Sequence, residues 1–299
     1  MRPGENAFAA RRPAHSGLPI DADDLPPGWQ ANLELSFERR QARTVLARNE
    51  HKGPLQVQKA LYPEGKEICH VAVLHPPGGI AAGDNLKLQV SLGHGSRALL
   101  TTPGAAKWYR SDGSAARQEL HFCLDGDAVL EWLPRENILF DGSRMSMNLD
   151  IALSAHSKYF GWDILSFGRR ASGESWQRGN LRMRTSISRA DRLLWSEAAN
   201  IDAGSGFLKS PVGLSGFGVC GTFLVAGYEV DSDLLTTCRQ VRSAVNEARI
   251  GITRVPGVLI ARYLGDSSED VFNYFTELWA VLRPALSARA SRAPRVWAC

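Results

Sequence analysis

No apolar run in this chain is long enough to cross a bilayer, and its first residues lack the charged start, apolar middle and small-residue cleavage site of a secretory signal. Cysteine is scarce and unordered. The five cysteines, Cys69, Cys123, Cys220, Cys238 and Cys299, are odd in number, widely spaced and never arranged as C-x-x-C, which argues against a disulfide framework. Both absences lead to the expectation of a soluble protein in a reducing, cytoplasmic location. The common catalytic signatures are missing as well: there is no Walker A phosphate loop, no H-E-x-x-H and no G-x-S-x-G elbow. The run Gly216-Phe217-Gly218-Val219-Cys220-Gly221 fits G-x-G-x-x-G on paper. The dinucleotide fingerprint needs a helix behind it, however, and Thr222 to Tyr228 has a strand pattern instead. Charge of one sign is also lacking. Lys and Arg total 35 against 31 Asp and Glu, a net +4 that is dispersed along the chain, so a nucleic-acid partner is not expected. Most of the basic groups are arginines, whose forks suit carboxylates and protein interfaces.

What is present describes a folded protein. A hydrophobic content of 44% with 22% charged residues over 299 positions can bury a large core. Residues 1–28 carry Pro, Gly and mixed charge without a hydrophobic period and are expected to be a disordered tail. A single domain is expected over residues 29–286, followed by a loose tail, 287–299.

The domain is organised around His75-Pro76-Pro77-Gly78-Gly79-Ile80-Ala81-Ala82-Gly83-Asp84. Two prolines stiffen the approach, and the glycines permit backbone that residues with a Cβ avoid. An apolar strand candidate, Ile68 to Leu74, enters this loop, and Leu86, Leu88, Val90 and Leu92 alternate on leaving it. Asp84 can close the turn by accepting backbone N–H bonds or present its carboxylate to a ligand. Leu33, Leu35 and Phe37 predict a first strand; Met145 to Leu153 and Leu181 to Ile187 alternate equally cleanly. Strands returning at short intervals without alternating helices predict layered antiparallel β structure. Two helices are expected late in the chain. One, capped by Asp231 or Ser232, runs through Leu234, Leu235, Cys238, Val241 and Val245; the other, capped at Ser267, carries Val271, Phe275, Leu278, Trp279 and Leu282 until Pro284. Val255 to Leu264 reads as one strand between them.

Metal-ligating residues are sparse. Cys69 and His70 point to opposite faces of a strand and cannot readily share an ion, so a buried thiol and a hydrogen-bonded imidazole are expected there. Asp84, Glu131, Glu136 and Asp141 sit at strand ends or turns beside Gly or Pro, either as solvated turn carboxylates or converging on a cavity. Oxygen ligands of that kind would suit passage of a hydrated divalent cation rather than storage.

The ordered blocks resemble one family. His75-Pro76-Pro77-Gly78-Gly79-Ile80 through Gly83-Asp84, Leu100-Thr101-Thr102-Pro103-Gly104-Ala105 and Lys107-Trp108-Tyr109-Arg110-Ser111 are similar to the urease accessory protein family UreD, called UreH in some bacteria. Phe167-Gly168-Arg169-Arg170, Gly179-Asn180-Leu181-Arg182-Met183-Arg184 and Arg262-Tyr263-Leu264-Gly265 extend the resemblance, as do Leu278-Trp279 and Leu282-Arg283-Pro284. It covers about Trp29 to Leu286, and several blocks in one order are more specific than one short motif. The resemblance implies a mainly β protein of two stacked, partly helically wound sheets with two C-terminal helices. It implies a non-catalytic metallochaperone scaffold, part of a hetero-oligomer, that binds apo-urease and UreF, which recruits the GTPase UreG for nickel insertion. No tightly bound cofactor is implied, only nickel in transit, with Asp84, Glu136 and Asp141 as candidate lining of an internal passage. A small-molecule hydrolase or binding module using acidic strand ends is the alternative, and a purely structural oligomer is a third.

Overall fold

The computed structural model describes residues 28–111 and 113–298, so the expected N-terminal tail falls, up to residue 27, outside the described part. The chain enters as a hairpin of β1 (Gln30–Arg40) and β2 (Arg43–Lys52), and β3 (Gln56–Val57) then pairs antiparallel with β4 (Cys69–Leu74). From there it winds between two sheets. β5 (Asn85–Leu92) returns to lie beside β1, and β6 (Arg97–Thr101) crosses back to lie beside β4. After the short β7 (Ala106–Trp108), β8 (Ala116–Leu124) joins β5, β9 (Val129–Trp132) joins β6, and β10 (Asn137–Leu139) lies beside β7. The last full turn places β11 (Arg144–Leu153) on β8, β12 (Lys158–Phe167) on β9 and β13 (Asn180–Arg189) on β11.

The predicted antiparallel layering is therefore corrected. The ladders from β1 through β5, β8 and β11 to β13 are parallel, as are those from β4 through β6 and β9 to β12. Antiparallel pairing is confined to the flanks. It joins β1 to β2, β3 to β4, β13 to β14 (Arg192–Asp202), and β12 to β15 (Val219–Ala226), with β17 (Val258–Gly265) next and β16 (Arg249–Val255) outermost. A parallel pair ordinarily needs a long crossover; here the crossover is the strand of the opposite sheet, which is why the connections stay short. The result is a seven-stranded and a ten-stranded sheet, stacked and wound as the resemblance implies.

One core lies between the sheets, where Leu33, Leu88, Phe122 and Ile151 meet Val71, Leu100, Leu130 and Tyr159. A second core lies between the ten-stranded sheet and the helices α1 (Ser232–Gln240) and α2 (Ser268–Ser287). The α2 stripe is packed as its spacing predicts, with Val271, Phe275, Leu278 and Leu282 buried. Gly221 makes the seat, because a Cβ there would come within 2.7 Å of Val271 and 2.8 Å of Phe275.

Three boundaries differ from expectation. Asp231 caps α1 by accepting the Leu234 N–H, but the helix ends at Gln240 rather than reaching Val245. Asp270 accounts for this, since it accepts the Ser243 hydroxyl and the Ala244 N–H and pulls that segment onto the start of α2. Pro284 does not stop α2, which runs on to Ser287. Pro284 and Ala280 both lie on the exposed side, so the carbonyl that loses its partner faces solvent while buried Arg283 holds the neighbouring turn. Val255 to Leu264 is a hairpin corner, broken at Pro256-Gly257, where Gly257 has φ +78°. Residues 288–298 contain no element longer than the turn Arg295–Ala298, yet Trp297 packs on Trp162, Phe272 and Trp279 and donates to the Thr101 hydroxyl.

Candidate functional site: the cavity between the sheets

The glycine loop has a fixed shape. Gly78 and Gly83 have φ of +73° and +80°, a region costly for residues with a Cβ. Ile80 donates to the Lys107 carbonyl and accepts from the Tyr109 N–H, which ties the loop to the Lys107-Trp108-Tyr109 block. Gly79 is required by contact, since a Cβ there would meet the Tyr109 ring at 2.2 Å. Asp84 closes the loop: one carboxylate oxygen accepts the Trp29 N–H and the other the Ala81 N–H, each at 2.8 Å. Its observed geometry is that of a turn clamp.

Glu136 lies 3.4 Å from the Ser268 hydroxyl and 3.7 Å from Arg135 Nε. Asp141 accepts the Gln177 and Arg178 N–H groups and the Arg178 guanidinium; desolvation pushes its carboxyl up, but these bonds together outweigh it and hold the carboxyl below the usual range. Asp84, Glu136 and Asp141 thus have separate partners. None borders the cavity between the sheets, although both sequence neighbours of Glu136, Arg135 and Asn137, do.

That cavity occupies about 340 Å³ between the sheets, space for on the order of ten waters. Leu88, Leu120 and Met147 of the seven-stranded sheet face Trp132 of the ten-stranded one across it. The polar lining includes His75, Gln118, Asn137 and Asp163, with Lys107 and Arg135 also on the wall. Asp163 is the sole carboxylate among the described lining residues. It reaches the cavity because β12 alternates, sending Tyr159, Asp163 and Leu165 between the sheets and Phe160, Trp162 and Ile164 toward the helices. A short relay orients it: Trp108 Nε1–H donates to Asn137 at 3.0 Å, and the Asn137 amide donates to Asp163 at 2.8 Å. Burial lifts the Asp163 carboxyl to about 7, with the Asn137 bond opposing and Glu197 adding to the rise. His75 has no partner for Nε2 among the described residues, and desolvation lowers its pKa against the pull of Asp84. The sequence reading passed over Asp163. A lone Asp in the apolar run Phe160 to Phe167 was the available signal.

A second buried carboxylate lies on the helix side. Glu131 accepts from Trp279 Nε1–H at 2.7 Å and from Arg283 at 2.9 and 3.0 Å. Arg283 also forks onto Glu64, which in turn holds His70 at 2.7 Å. Burial works against the Arg283 charge, but Glu131 and Glu64 outweigh it and hold its pKa above the ordinary value. Burial likewise pushes Glu131 up, opposed by Arg283. Cys69, on the opposite face of β4, is buried in the inter-sheet core, as expected for that pair.

Together these features define a helically wound two-sheet β scaffold, enclosing a mixed apolar and polar cavity and clasped by helices on one side. The family model described as UreD urease accessory protein matches residues 30–298. Urease accessory protein UreD of Dechloromonas aromatica (strain RCB) is 48% identical over 285 residues, covering 94% of this chain and 99% of that protein. The proteins of the same name from Azoarcus sp. (strain BH72) and Methylobacillus flagellatus are each 47% identical, covering 91% and 90% of this chain and 94% of each relative. The chain belongs to the UreD family of urease accessory proteins. Among the described residues no helix is long and apolar enough to cross a membrane.

Proposed function

We propose that this chain is a non-catalytic cytoplasmic scaffold in the delivery of nickel to urease. It binds apo-urease and UreF in a hetero-oligomer, UreF brings the GTPase UreG, and nickel is cargo. The observation that carries the reading is the inter-sheet cavity with its single lining carboxylate, Asp163. A hydrated divalent cation favours oxygen ligands. One carboxylate and two amides, Gln118 and Asn137, supply such ligands, while Lys107 and Arg135 in the same lining oppose long residence. Passage fits this lining better than storage does.

Asp84, Glu136 and Asp141 stand behind the wall of the passage in this reading and hold segments that line or adjoin it. Asp84 fixes the loop that presents His75 and Ile80 to it. Glu136 lies between the lining residues Arg135 and Asn137 and reaches the start of α2, and Asp141 anchors the turn between β10 and β11. The test is urease maturation in cells expressing the urease subunits and the other accessory proteins, with and without this chain, alongside capture of UreF. Loss of urease nickel and activity only without the chain, with UreF retained by it, is the expected result. Full activation without it, or binding of a small ligand by the chain alone with no UreF capture, would favour a binding module instead.

A further inference from the structure

The outer face of the seven-stranded sheet is unlike the rest of the surface. Both helices pack on the other sheet, so five parallel strands in sequence, β1, β5, β8, β11 and β13, show one face outward. Parallel sheets are usually covered on both faces. With Met145, Met147 and Leu149 inward, Arg144, Ser146 and Asn148 of β11 point outward; the register puts Arg117 opposite Ser146 on one side and Arg182 on the other. Arg184 is the next outward residue of β13, opposite Asn148, and Lys87 of β5 lies opposite Glu119 of β8.

Five cations therefore stand at one end of four neighbouring strands: Lys87, Arg117, Arg144, Arg182 and Arg184. At a strand spacing of about 4.8 Å they span roughly 15 Å. Arg144, Arg182 and Arg184 are exposed, and the three have no ion pair or side-chain hydrogen bond among the described residues. The one carboxylate among them, Glu119, is within 3.6 Å of His121 and is held below its ordinary pKa first by that contact, then by Lys87 and Arg117. Elsewhere on the same face Arg48 bridges Glu34 and Glu50, and Asp150 accepts the Ser186 hydroxyl and lies 3.6 Å from His121.

We propose that this face docks an acidic surface of the urease apoprotein through Arg144, Arg182 and Arg184. The inference rests on the reading above that urease is the client. Guanidinium forks in a flat array fit carboxylates on a facing protein. The outward neighbours Ser146, Asn148 and Ser186 are small and polar, which allows close approach over a flat area. A nucleic acid is the less suitable occupant, because the outward residues of these strands include no Phe, Tyr or Trp for stacking and the chain's net charge is only +4.

The test is capture of purified apo-urease by the full tagged chain at low salt and at about 0.5 M salt, where exposed charge pairs are strongly screened. The wild type, R182E/R184E with R144E, and R182K/R184K with R144K are compared. Expected are salt-sensitive capture by the wild type, a loss of tenfold or more in the reversed variant with unchanged thermal unfolding, and substantial retention in the lysine variant. Equal capture by wild type and reversed variant would overturn the face while leaving the urease reading intact. No capture by the wild type at either salt would overturn both. Binding of a 30-base-pair duplex, or self-association, lost in the same reversed variant without loss of urease capture would assign the face to that other occupant.

Discussion

Glu131 and Asp163 are both carboxylates deep in the ten-stranded sheet, on adjacent parallel strands, yet their surroundings are opposite. Glu131 faces the helices and is saturated by an indole and a guanidinium that a second carboxylate, Glu64, helps to fix. Asp163 faces the other sheet, has one amide for a partner and borders open space. Burial raises both, but only Glu131 has a cation to compensate. A carboxylate that ties α2 to the sheet serves the fold, whereas one left short of partners on a cavity wall is, in the function proposed above, the group that meets the cargo.

The largest expected effect breaks the saturated side. Arg283→Ala strands both Glu131 and Glu64 in the interior and should cost about 3–5 kcal/mol, read as a fall in the urea midpoint. An unchanged midpoint would mean the network is incidental to stability. Asp84→Ala leaves the Trp29 and Ala81 N–H groups without acceptors and should cost about 1–3 kcal/mol by the same measurement. A smaller loss would place the loop's stability in its glycines and prolines.

The smallest change has the opposite sign. The folded pKa of Asp163, about 7, lies above its ordinary value, so its contribution to stability is complete below about pH 4 and is lost as pH rises through about 7. Asp163→Asn keeps the shape and removes that loss. Because the side chain borders a cavity able to hold water, we expect a gain of about 2 kcal/mol at pH 8.5 and none at pH 4. Equal stability of the two proteins at both values would show that Asp163 ionises freely.

The elements were legible where burial is one-sided. Leu33-Leu35-Phe37, Leu86 to Leu92 and Met145 to Leu153 alternate because one face of each strand meets the inter-sheet core. Alternation reports which face is buried and says nothing of the neighbour's direction, so short turns suggested hairpins where the chain in fact crosses between sheets. The α1 end was hidden because its cause, Asp270, lies 30 positions past Gln240. Pro284 was read from local rules, while its tolerance depends on which side of α2 faces solvent. The turn role of Asp84 was readable from the glycine beside it. Asp163 and the Glu64–Arg283–Glu131 chain were not, since their partners are 26 to 219 positions apart and meet only through the winding.

Nickel loading of urease matured with the Asp163→Asn chain tests the central claim most directly, because this variant is expected to be at least as stable as the wild type. The cavity reading predicts urease with a small fraction of its normal nickel and activity, while capture of UreF and apo-urease is unchanged. Normal nickel content and activity would contradict it and return Asp163 to the role of a buried polar residue.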